Sequence, residues 1–132
     1  MKNHLLKTFS MLVIVFLLSI KGSSAQSFEG IAGAIRSGNA SAIAANFQSN
    51  VEITIKDGSN SYSKSQGEMV LKSFFASHQP KSFSIAHEGT SPEGSKYFIG
   101  NLSTSAGTYR AYVYAKAIAG NFSIQEIRFE EQ

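Results

Sequence analysis

Apolar positions along this chain fall into two periods. Phe28, Ile31, Ala32 and Ile35 recur three and four residues apart, which lines one face of a helix. Gly38, after Arg36-Ser37, supplies a C-terminal stop. Asn39 or Ser41 caps a second short helix with Ile43 and Phe47 at i and i+4, so the pattern predicts its end near Phe47. The segment 51-VEITI-55 then alternates apolar and polar residues, the period of a half-buried strand. Lys56 to Asn60 is a turn by composition, and a short strand around Tyr62 pairs back. Ser63-Lys-Ser-Gln66 fits a capping box, in which a hydroxyl and a glutamine satisfy each other's backbone donors. The helix it opens runs to about His78 with Val70, Leu71, Phe74 and Phe75 as its stripe. Pro80 ends it, because the residue before proline is pushed out of helical geometry.

Beyond Pro80 the period is two. Phe83, Ile85 and His87 alternate with Ser84, Ala86 and Glu88, and Ser91-Pro-Glu-Gly94 turns the chain. The strands 97-YFIGNLST-104, 108-TYRAYVYAK-116 and 122-FSIQEIRFE-130 follow, separated by turns at Ser105-Ala-Gly107 and Gly120-Asn121. The order is helix, helix, strands, helix, then a four-stranded antiparallel meander. Counting back from a two-residue loop at Gly120-Asn121 sets Tyr114 opposite Ile127 and Tyr112 opposite Phe129. A three-residue loop at Gly107 sets Phe98 against Tyr114 and Gly100 against Tyr112. The expected core face is therefore Phe98, Leu102, Tyr112, Tyr114, Ile127 and Phe129, with Val113, Ala115, Ile124, Glu126 and Arg128 outside.

The N-terminus changes how the charge is read. Lys2 and Lys7 precede the apolar run Met11 to Leu18, and Ser23-Ser24-Ala25 places small residues before Gln26. These are the parts of a secretory signal peptide cleaved after Ala25. The run is about half the 20 residues a membrane-spanning helix needs, so residues 1–25 are expected to leave and residues 26–132 to form one exported domain, periplasmic or secreted, without a membrane anchor. Three of the twelve Lys and Arg residues leave with the leader, and nine then face nine acidic residues. Without a basic cluster nucleic acid is not an expected partner. The chain has no Cys and keeps only His78 and His87 in the mature part. Disulfides and thiol catalysis are excluded, and no metal or cofactor site is expected.

Two helices, a strand, a third helix and a meander in about 110 residues resemble the cone-shaped fold of the nuclear-transport-factor-2-like superfamily, which includes ketosteroid isomerase, scytalone dehydratase and polyketide cyclases. The segments 31-IAGAIRSGNA-40, 47-FQSNVEITI-55, 62-YSKSQ-66, 80-PKSFSI-85 and 122-FSIQEIRFE-130 resemble, more closely, an exported bacterial family described as domain of unknown function 4783. The resemblance spans residues 27–130. It implies an α+β cone, three helices on a curved antiparallel meander sheet, in an exported protein, and it implies no activity.

Function then rests on the site. Isomerase-like chemistry needs a carboxylate base in an apolar pocket with hydrogen-bond donors beside it. Glu52 points away from the core by parity, Asp57 lies in a turn and Glu126 lies outside, so no catalytic residue is assigned and the pattern leans away from an enzyme. A ligand site is expected on the concave face, from Phe98, Tyr112 and Tyr114, with Arg110 at its mouth and His87 at its rim. Tyrosines bring an apolar body and a polar tip, which suits a small apolar or amphipathic molecule. The plainer reading leaves the tyrosines as core and His87 bonded to backbone or water. Three functions stand open: a non-catalytic binding domain for such a ligand or a protein partner, a cofactor-free isomerase or dehydratase, and a structural module that homodimerises through the meander's outer face.

Overall fold

The computed structural model describes residues 28–118 and 121–132. The expected leader, its cleavage after Ala25 and Gly120 of the last turn lie outside these residues. Helix α1 (Phe28–Ser37) buries Phe28, Ile31, Ala32, Ala34 and Ile35. It ends where Gly38 takes φ +67°, a left-handed conformation that glycine adopts without steric cost. Helix α2 (Ala40–Ala44) is capped by Asn39, whose side chain accepts from the Ala42 amide. It stops short of the expected end. Phe47 instead opens strand β1 (Phe47–Ile55), and its burial comes from the sheet rather than from a helix face.

A two-residue turn at Lys56-Asp57 leads into β2 (Gly58–Ser63), with Ile55 paired to Gly58. Helix α3 (Lys64–Ser77) carries the complete capping box, Ser63 bonded to the Gln66 amide and Gln66 bonded back. It lays Gly67, Leu71, Phe74 and Phe75 onto the sheet. Strands β3 (Pro80–Thr90), β4 (Lys96–Thr104), β5 (Gly107–Ile118) and β6 (Asn121–Glu131) form the meander. The whole is one curved six-stranded sheet in the order β2-β1-β6-β5-β4-β3. It is not antiparallel throughout, because β1 joins β6 in parallel and so attaches the β1-β2 hairpin to the meander.

The register corrects the expected faces. The β4-β5 turn holds only Ser105 and Ala106, since Thr104 pairs with Gly107, and this sets Phe98 opposite Val113 rather than Tyr114. Asn121 belongs to β6 and pairs with Ile118; a bulge then skips Gln125, so Val113 meets Ile127 and Ala111 meets Phe129. A shift of one residue turns every side chain of a strand over. The core face is Phe98, Leu102, Tyr109, Ala111, Val113, Ala115, Ile124, Ile127 and Phe129, all essentially inaccessible. Tyr112 and Tyr114 stand on the other side. The space at Gly100 is also filled differently: Gly100 pairs with Ala111, and the Phe83 ring lies over it.

Candidate functional site

The three helices cover one face of the sheet, and the polar and aromatic groups gather on the other. Across the strands they fall into rows. From β2 to β3, one row runs Ser61, Glu52, Glu126, Tyr114, Tyr97, Gly89. The next runs Ser59, Thr54, Arg128, Tyr112, Ile99, His87, and a third sets Glu130, Arg110, Asn101 and Ser84 side by side. A second bulge makes this alignment. Ile85 pairs with Gly100 but His87 with Ile99, so Ala86 is skipped and His87 turns away from the core side held by Phe83 and Ile85. His87 is accordingly exposed, not at the core rim.

Contacts tie the rows together. The Tyr97 ring crosses Gly89 in the space a side chain there would need. Its hydroxyl lies 3.4 Å from His87 Nε2, and its centroid is 6.1 Å from that of Tyr112. The Arg128 guanidinium sits over the Tyr112 ring at 5.5 Å, a cation–π arrangement. Arg128 also donates through Nε to Glu126 and places Nη1 4.0 Å from Glu130. At the β1 end Ser59 Oγ donates to Glu52 at 2.9 Å. Partial burial pushes the Tyr112 phenol above its ordinary pKa, and Glu126 pushes it further than Arg128 pulls it back. Tyr112 therefore remains a neutral donor near neutral pH. The hydrogen bond that Arg128 donates to the Glu126 carboxylate raises the guanidinium pKa further and holds it protonated.

Four of the five residues expected at a ligand site, His87, Arg110, Tyr112 and Tyr114, do share a face, but it is the outer one. Phe98 is on the opposite side, wholly buried against Phe28 at 5.1 Å between centroids. The β5 tyrosine that faces the helices is Tyr109, edge-on to Phe74 and His78. Sequence reasoning missed Tyr97, Ile99, Glu126 and Arg128 as members of the cluster. The available signal was parity: Arg110 and Lys116 alternate in step with Tyr112 and Tyr114, and two charged residues mark that side as the wet one. Chemically the face is a platform. His87 meets a phenol rather than a carboxylate, and Glu126 is held by Arg128. Among the described residues no three His, Asp or Glu side chains converge as a metal site would require.

The family model described as Domain of unknown function (DUF4783) matches residues 28–130. No curated protein matches the chain. A DUF4783 family protein from Bacteroides uniformis is 28% identical with a TM-score of 0.74, covering 79% of this chain and 95% of its own. One from Bacteroides fragilis is 26% identical with a TM-score of 0.74, covering 78% and 96%. An NTF-2 like protein of unknown function from Silicibacter pomeroyi is similar in fold alone, at 10% identity and a TM-score of 0.59 over 80% of this chain and 89% of its own.

Proposed function

Because the chain belongs to the DUF4783 family, a family of unknown function, its role has to come from its own surface, and we propose that it is an exported, non-catalytic binding domain whose outer sheet face docks a second copy of itself. The observation that carries this reading is the continuous run His87, Tyr97, Tyr112, Arg128 on a sheet face that, among the described residues, no helix covers. Tyr and Arg are enriched at interface centres because they combine large apolar area with a polar end. The four strands β3 to β6, about 4.8 Å apart, offer a patch approaching the ~800 Å² per partner of a stable interface.

The pattern is also self-complementary. A two-fold axis lying in the face between the two central rows sets Glu126 against Arg128 of the second copy and Tyr114 against Tyr112, an isologous contact. Export is supported by the Lys2, Lys7, Met11–Leu18 and Ser23–Ala25 pattern. The helix-covered face is filled by the domain's own Phe98, Leu102, Val113, Ile127 and Phe129, which favours a surface partner over a ligand held inside the cone. His87, Tyr112 and Tyr114 face outward, which favours a binding surface over an isomerase or dehydratase pocket.

A dilution series of amide spectra tests the proposal. Between about 1 mM and 10 μM chain, resonances of Tyr97, Ile99, Tyr112, Tyr114 and Arg128 should shift while those of α1 and α3 stay in place. Concentration-independent spectra on that face would refute it.

A further inference from the structure

The sheet has two edges, and they are treated differently. At the β3 edge every protective device is present. Pro80 and Lys81 open the strand, the register breaks twice, and Arg36 Nε donates to the Phe83 carbonyl at 3.2 Å. Proline, lysine, bulges and a covering helix are how native sheets discourage a further strand. At the β2 edge the proline, the lysine and the register breaks are all missing. Gly58-Ser-Asn-Ser-Tyr-Ser63 holds no proline and no charge, and its ladder with β1 runs without a register break. Among the described residues, no backbone hydrogen bond from residues 58–62 reaches beyond β1.

Beside this open edge, on the helix side of the sheet, lies a groove of about 590 Å³ lined by Asn60, Tyr62, Gln66, Met69 and Val70. Met69 is 62% exposed, among the described residues one of two large apolar side chains left in that state. We propose that β2 is a strand-addition site for an extended, uncharged segment of another protein, with an apolar side chain seated against Met69, Val70 and Tyr62. In strand addition the main chain supplies affinity and a pocket beside the edge reads alternate side chains. An added strand points every second side chain to the helix side, and there the groove receives it. A second copy does not fit this edge. Six residues span about 20 Å, and self-pairing covers a strip one strand deep, well short of ~800 Å² per partner. The absence of charge along the edge matches an uncharged segment.

The probe is a capped peptide of alternating threonine and valine, titrated into the isotope-labelled mature chain. Binding should move the amides of Gly58 to Ser63 and slow their hydrogen exchange. The same peptide N-methylated at alternate residues should not bind, and Met69→Lys should weaken the parent peptide about tenfold. Tyr112→Asp, on the outer face, should leave its affinity unchanged, which separates this site from the dimer face. Shifts that map to β3 or the outer face, equal binding of the N-methylated peptide, or no shift at about 1 mM peptide would overturn the proposal.

Discussion

Gly100→Ala tests the sheet register where it is least forgiving. A Cβ built at Gly100 lies 2.5 Å from Phe83 Cε2 and 2.7 Å from the Ser84 carbonyl oxygen. Ordinary contact needs about 3.4 Å or more, so the Phe83 ring must retreat by most of an ångström. It has little room, being 4% exposed and set against Phe98. The Ser84 contact is backbone, so β3 itself must also shift. Overpacking of this kind costs about 1–3 kcal/mol. Alanine returns about 0.5–1 kcal/mol by narrowing the unfolded chain, which leaves a net loss between about 0 and 2.5 kcal/mol, toward the upper end because backbone must move. Urea denaturation of residues 26–132 reads this directly, with an unchanged slope and a lower midpoint. A double-mutant cycle with Phe83→Leu sharpens it: removing the ring should recover about 1 kcal/mol of the alanine's cost. Were Gly100 opposite Tyr112, as simple hairpin counting has it, alanine would fill space and stabilise. A stabilised Gly100→Ala, or additive single mutants, would refute the observed register.

Gly89→Ala makes the matching intrusion on the outer face, but Tyr97 can swing toward solvent. Its cost should therefore stay below about 1 kcal/mol, while the His87 ring resonances lose their tyrosine-induced shift. Ser63→Ala removes the N-cap of α3 and should cost about 1 kcal/mol of unfolding free energy by chemical denaturation. The raised Tyr112 pKa predicts stability that is full below the unfolded-state value near 10 and falls as pH rises through the folded value. Unfolding midpoints measured across that range should decline less steeply in Tyr112→Phe.

The element order was legible because it is local. The α1 stripe, the stop at Gly38, the capping box at Ser63 and the break at Pro80 each act within a few residues. The register was not, because it depends on bulges that add one residue to one strand and leave no periodic trace. One clue was present in β6. Ile124 and Ile127 are both apolar but three apart, which a strict period of two cannot bury on one face, and the skipped Gln125 between them resolves it. Phe47 misled for a related reason, since an apolar residue four after Ile43 fits a helix or the start of a strand equally well. Tyr112, Tyr114, Arg110 and His87 were legible as an aromatic and polar group, but hairpin counting set the two tyrosines on the core side, where the register does not place them. The open β2 edge could not be read at all, because edge and centre are decided by the parallel pairing of β1 with β6, a contact between residues more than 70 apart.

Sedimentation equilibrium on residues 26–132, wild type beside Tyr112→Asp, tests the central claim most directly. Tyr112 is half-buried on the outer face, so aspartate there should leave the thermal midpoint within a few degrees. The wild type should sediment as a dimer at about 100 μM and the variant as a folded monomer. A wild type that remains monomeric at that concentration, or a Tyr112→Asp chain that still dimerises, would contradict the account.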